Sequence, residues 1–447
     1  MTTPICDFVT DYAEKKPIRL HMPGHKGNGI PEQLDITEIS GSDVLYDSKG
    51  IIRESERNCE ALFGSARTVY STEGSSLCIR AMLYLALMHA KRMGRKPLIA
   101  AGRNAHRVFS EAAALLDLPV RWIGCEENLL NCRIEAETLE ELFADPDRSP
   151  TAVYITSPDY LGNLTPLAPL AEICHRHDAL LLTDNAHGAY LRFLPGALHP
   201  MDSGADLCCD SAHKTLPVLT GGAYLHASTC CPETLLPMME RAMALFASTS
   251  PSWLILQSLD RANTILEDRY YRRALLETAG TLRYMREALT RRGWNPEGTE
   301  PMKLTLRPKG MGYRGTELEK LLAEQGMICE FADADYTVMM PGTELGHHRL
   351  GLLQSFLMNL PNRPAIEEQP PVRSAQEPVM EMREAMLSPF QRVPVQESLG
   401  RILASPSVSC PPAVPICICG ERIDSAAIRL FQYYGIETCD VVIRPEE

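Results

Sequence analysis

Between residues 96 and 211 the chain switches repeatedly between two hydrophobic periods, and that switching limits its possible folds more than any other feature. Five short apolar runs ended by turn chemistry read as buried strands: "KPLIAAG" (Lys96–Gly102), "LPVRWIG" (Leu118–Gly124), "TAVYITSP" (Thr151–Pro158), "ALLLTDNAHG" (Ala179–Gly188) and "ADLCCDS" (Ala205–Ser211). Between them lie helically spaced patterns such as "RVFSEAAALLD" and "LAPLAEICHRHD". This alternation predicts βαβ units in a mostly parallel α/β sheet. The stretch Ser75–Met93 is apolar on nearly every side and predicts a buried helix with Ser75 near its N-cap. A long helix over about Ser250–Glu267 leads out of this large domain. A smaller α+β unit follows, with "MKLTLRP" and "VMMPG" as strands and "TELEKLLAEQG" as a helix. Pro361–Pro378 carries five prolines and little periodicity, so it reads as a linker. The expected division is an N-terminal segment 1–50, a large domain 51–270, a small domain 271–360, a linker 361–378 and a last subdomain 379–447.

In open α/β sheets, ligands bind outside the carboxyl ends of the strands. His106 lies just after "LIAAG", Asp184 ends "ALLLTD", and Lys214 closely follows "ADLCCDS". A lysine set between His213 and Thr215 after an apolar run is costly to bury unless paired or neutralised, and suits an amine that must react. In "STEGSSL", Gly74, Ser75 and Ser76 open the buried helix, where free N–H groups and the helix dipole favour a phosphate. Each feature alone has an ordinary reading: Ser75 or Asp184 as a cap, His187 as a turn residue, His213 as a satisfied core histidine. Together, a Schiff-base lysine, an upstream aspartate, a histidine after an earlier strand and a phosphate-holding helix start are the parts of a pyridoxal phosphate site.

Composition removes other classes. A formal net charge of −13 and a pI near 5.5 argue against gripping a nucleic-acid backbone. No run approaches 18 apolar residues, and "MTTPICDFVTDYAEKK" has no signal-peptide pattern, so a cytoplasmic protein with no membrane partner is expected. The 15 cysteines match no structural zinc spacing and no secreted disulfide framework. They read as reduced thiols used as small hydrophobes, with no metal expected.

The motifs "HMPGHKG" (His21–Gly27), "STEGSSL", "NAHR" (Asn104–Arg107), "DNAHGAY" (Asp184–Tyr190), "SAHKTLP" (Ser211–Pro217) and "STSPSW" (Ser248–Trp253) occur in one order, followed by "ESLGRI" and "CPPAVPICICGE". On these the chain resembles the short-form bacterial Orn/Lys/Arg decarboxylases, of the aspartate-aminotransferase-like fold type I, over nearly its whole length. The resemblance implies a homodimer with the active site at the interface, decarboxylating arginine, lysine or ornithine to an amine that feeds polyamine synthesis. It implies that Lys214 holds pyridoxal 5'-phosphate as an imine, that Asp184 pairs with the ring nitrogen, and that His106 stacks on the ring. Ser75, Ser76, Ser211 and the N–H of Gly74 would hold the phosphate, while His187 and His213 flank cofactor and substrate. Asn185 and Tyr190 depart from the family's Asp-Glu-Ala-His-Gly-Ala-His. For the substrate's distal cation, "GMICEFADADY" offers Glu330 and Asp333, whose ordinary reading is as solvated turn acids. Two alternatives stand beside this one: another fold type I lyase or aminotransferase, and a non-catalytic paralogue serving as an oligomeric scaffold.

Overall fold

Strands that are apolar on both faces need cover on both, and the chain provides it with helices. In the computed structural model, which describes residues 18–20, 43–124, 132, 134–145, 149–374, 378–409 and 415–443, a seven-stranded sheet forms the centre. After a short strand β1 (Ile18–Leu20), the sheet is built from β2 (Arg67–Ser71), β3 (Ile99–Gly102), β4 (Val120–Ile123), β5 (Ala152–Thr156), β6 (Leu180–Asp184), β7 (Leu207–Asp210) and β8 (Ala223–Ala227). Their order across the sheet is β2-β8-β7-β6-β5-β3-β4. Pairings from β4 to β7 are parallel, and β8 alone runs against the rest, between β7 and β2. The fold is therefore a mostly parallel α/β sheet with β2 and β7 pointing the same way. Each of the five sequence-read strands is present.

The helix Gly74–Arg92 is buried along most of its length, with Leu77, Met82, Leu83 and Leu85 fully enclosed. It begins one residue earlier than expected. Gly74 adopts φ +72, a conformation costly for any residue with a Cβ, and the N-cap position falls on Glu73, whose side chain makes no capping bond. Ser75 thus sits in the first turn rather than at the cap. The sequence-read helix after residue 250 is Trp253–Glu267, capped by Ser252, and a 24-residue helix, Arg269–Arg292, follows it directly. Beyond it, β9 (Pro296–Glu297), β10 (Leu304–Leu306), β12 (Phe331–Ala332) and β13 (Thr337–Met339) form an antiparallel sheet, and β11 (Met327–Cys329) pairs with β1. Residues 361–374 have no regular structure and are mostly exposed.

The C-terminal residues pack back onto the large sheet. Arg103, just past β3, makes a buried two-pronged ion pair with Glu421, at 2.6 and 2.7 Å. Twelve cysteines fall among the described residues, none forming a disulfide with another of them and all buried except Cys230. No helix among the described residues is long and apolar enough to cross a membrane. The motif His21–Gly27 and residues 410–414 of "CPPAVPICICGE" lie outside the described residues.

Candidate active site

Because β2, β3, β5, β6 and β7 point the same way, their carboxyl ends share one edge, and the loops leaving them meet there. They enclose a cavity of about 520 Å³ lined by residues from all five: Gly74, Ser75 and Ser76 after β2, His106 after β3, Tyr160 after β5, Asp184 and His187 at the end of β6, and Ser211, His213 and Lys214 after β7. Ser407 and Pro415 from the C-terminal part add to the wall.

Asp184 is 2% exposed and held on both oxygens. Tyr154 Oη donates to Oδ2 at 3.0 Å, and the Ala186 N–H donates to Oδ1 at 3.1 Å. Lys214 Nζ lies 2.9 Å from His187 Nε2, and burial lowers the pKa of the amine, against the pull of Asp184 and Glu330. His187 is buried, and its desolvation, with Lys214 and Lys303 beside it, holds its pKa well below the usual imidazole value. His213 Nδ1 lies 3.0 Å from the Gly222 carbonyl, which only accepts, so Nδ1 carries a proton. His106 caps the helix Arg107–Leu115, its Nδ1 accepting the Val108 N–H at 3.3 Å. Its ring is exposed in the cavity, and partial desolvation by the surrounding protein, with Lys214 nearby, lowers its pKa against the pull of Asp184.

At the helix start Ser211 Oγ donates to Ser75 Oγ at 2.7 Å. The Gly74 N–H differs from expectation, because it is spent on the Gly221 carbonyl at 2.7 Å, where β8 passes close by. The N–H groups left for an anion are those of Ser75 and Ser76, in a first turn that has no intrahelical partners.

The two acids suggested for the substrate's far end separate. Glu330 accepts at 3.0 Å from the hydroxyl of Tyr160, a residue of the cavity wall, and its charge is near enough to Lys214 to raise that amine's pKa. Asp333 is not brought to the cavity: its Oδ1 accepts the N–H groups of Asp335 and Tyr336, at 2.8 and 2.7 Å, pinning the turn between β12 and β13. A short Asx-type turn needs that carboxylate for its own backbone. Asn185 is also turned away, its Nδ2 donating at 2.6 Å to Asp210, which lies beneath the sheet edge against His199 at 2.9 Å. Tyr190 is buried, with its hydroxyl on Glu300.

Sequence reasoning missed Lys303 and Glu300. Both are at most 3% exposed, and with His187, Tyr190 and Lys214 they line a narrow chamber beside the main cavity. The available signal was a glutamate and a lysine flanking Pro301-Met302 at the start of an apolar strand, where a charged residue is out of pattern.

Residues 3–305 match the family model for the Orn/Lys/Arg decarboxylase major domain, and residues 366–438 match the one for its C-terminal domain. The chain belongs to the Orn/Lys/Arg decarboxylase family. Among curated relatives of the family, it is 28% identical to an arginine decarboxylase of Bacillus subtilis (94% of this chain, 91% of that protein). It is 27% identical to the uncharacterized protein YaaO of the same organism (96% and 93%). Lysine decarboxylase A from Pseudomonas aeruginosa shares the fold, with a TM-score of 0.72 at 17% identity, over 91% of this chain and 73% of that one. A serine palmitoyltransferase from Sphingomonas wittichii matches at a TM-score of 0.52 and 14% identity, over 69% and 75%. The family implies pyridoxal phosphate.

Proposed function

We propose that this chain is a pyridoxal 5'-phosphate-dependent carboxy-lyase that converts a basic amino acid, arginine, lysine or ornithine, to its amine. The observation that carries this reading is the convergence of Lys214, Asp184, His106 and an uncapped helix start on one cavity. The residues fit the group. About 520 Å³ falls within the roughly 300–1,000 Å³ of small-molecule sites. A Cβ on Gly74 would meet nothing within 4 Å, which leaves the approach to the helix start open.

When bound, the cofactor supplies a conjugated ring that accepts the electrons of the bond to the departing carbon dioxide. Lys214 would hold it through Nζ, and Asp184, fixed by Tyr154, would keep a proton on the ring nitrogen. Ser75, Ser76 and Ser211 would hold the phosphate, and His106 would cover one ring face. His213, with its Nδ1–H spent on the Gly222 carbonyl, would return a proton to substrate carbon from Nε2 once that nitrogen is protonated. Glu330 would pair with the substrate's distal cation, and a second copy of the chain would complete the cavity in a cytoplasmic homodimer.

The test is direct. The purified protein should be yellow, and borohydride should fix the label on Lys214. Incubation with arginine, lysine and ornithine should release one amine, and Glu330→Gln should raise KM about tenfold or more for that substrate without loss of cofactor. A label on another lysine would remove the reading. Bound cofactor with no amine from any of the three would favour a different fold type I lyase or aminotransferase.

A further inference from the structure

His187 is held between two lysines. Its Nε2 lies 2.9 Å from Lys214 Nζ, and its Nδ1 lies 3.2 Å from Lys303 Nζ. A neutral imidazole has one N–H and one lone pair, so it can accept from only one of the two amines and must donate to the other. Two ammonium groups around a neutral His187 are therefore forbidden. An imidazolium would donate from both nitrogens and so need both amines neutral, and burial, with Lys214 and Lys303 beside it, opposes charge on this ring.

The surroundings decide which lysine carries the charge. Lys303 Nζ meets the Asp159 carbonyl at 3.2 Å, the Tyr160 carbonyl at 2.9 Å and His187 Nδ1: three acceptors for the three N–H bonds of an ammonium. The Tyr160 ring adds a cation–π contact at 5.5 Å. Lys214 makes one hydrogen bond among the described residues, to His187.

We propose that Lys303 is a positioning residue: it carries the charge, fixes His187 as the Nε2–H tautomer, and so holds Lys214 as a free amine. This rests on Lys214 being the reactive lysine of the reading above. The same geometry lets the charge cross. A proton passes from Lys303 Nζ to His187 Nδ1 while the Nε2 proton passes to Lys214 Nζ, leaving a neutral Nδ1–H imidazole and a charged Lys214. Lys214 can thus be recharged without water entering the site.

The groups facing this chain are of both signs. Asp184, Glu330 and Cys209 face Lys214; Glu300, Asp159 and Glu330 face Lys303; His106 and His213 face His187. Burial pulls both amines below the ordinary lysine value, while Glu300 and Asp159 support charge at the Lys303 end.

Two measurements on the cofactor-free protein test this. Nitrogen-15 spectra of labelled histidine, with His187 assigned through His187→Gln, should show a neutral ring with its proton on Nε2 from about pH 6 to 8. An imidazolium, or the Nδ1–H tautomer, would overturn the proposal. Acetic anhydride labelling of Lys214 against pH, read by peptide mass spectrometry, should show a midpoint about one pH unit or more higher in Lys303→Met, roughly tenfold less labelling at neutral pH. Lys303→Arg should restore the wild-type midpoint. An unshifted midpoint in folded Lys303→Met would also overturn it. If Lys303→Met does not fold, the tautomer decides. Neither readout uses the cofactor, so failure of the wild type to bind pyridoxal phosphate would count against the proposed function alone.

Discussion

Asp184 is placed where neither oxygen can relax into solvent, so its protonation partner is decided by what enters the cavity. Replacing it by Asn keeps the volume but exchanges an acceptor oxygen for a donor NH₂, which meets either the Tyr154 hydroxyl or the Ala186 N–H. Asp184→Asn should retain cofactor while losing about 10²-fold or more in turnover, the scale of removing one preorganised electrostatic partner. Steady-state rates beside the cofactor absorbance check this, and unimpaired turnover would make the aspartate a structural cap. At this scale much of the candidate site was legible, because Asp184, His106 and Lys214 each follow a readable strand end. Asp333 and the Gly74 N–H were misassigned, because a side chain and an N–H group can serve backbone a few residues or a strand away without any mark in the sequence.

At the scale of elements, the Arg103–Glu421 pair, both side chains 6% exposed, adds a buried polar link between β3 and the C-terminal part to the apolar core they share. A buried guanidinium deprived of its carboxylate has no water to replace it. Glu421→Ala should cost about 3–5 kcal/mol in denaturant unfolding, and the double change Arg103→Met with Glu421→Leu should recover most of that loss. A cost under about 1 kcal/mol for the single change would show that the two parts are held by apolar packing alone. Helices and parallel strands were readable here because their apolar periods are long or continuous. β2 and β8 were not read, since an antiparallel pair at one side of the sheet is defined by its partner. The "TGGAYLH" stretch shows only glycines and a short mixed run until β7 lies beside it.

For the whole molecule, burial of acids sets the pH response. Glu300 is pushed up to about 7 by burial, and Glu56, despite Arg67 beside it, also to about 7. Each folded value lies above the unfolded one near 4.5. The stability each contributes is fully present below about 4.5 and is lost as pH rises through about 7, because the folded chain binds the extra proton in that window. His187, held neutral, acts in the opposite sense and costs stability as pH falls below its unfolded value near 6.5. Glu300→Gln should therefore make the change of melting temperature between pH 5 and 7 less negative, or more positive, than in the wild type, as melts at intermediate pH would show. Parallel slopes in the two proteins would mean that Glu300 is charged throughout.

The alternating periods determined the parallel part of the sheet, β3 to β7, by themselves, since strands apolar on both faces and joined by helix-length segments can only be buried in parallel. Those strands in turn placed their carboxyl-end residues on one edge. What tertiary structure alone decided is which polar groups are left without water. Lys303 stands 89 residues after Lys214 and 116 after His187 in the chain, as their numbers show, and nothing local relates the three. They meet because the chain entering β10, beyond the long helix Arg269–Arg292, brings Lys303 against His187 after the end of β6. The charge of each then depends on how many donors and acceptors the others have left, which is a property of the packed site and of no segment alone.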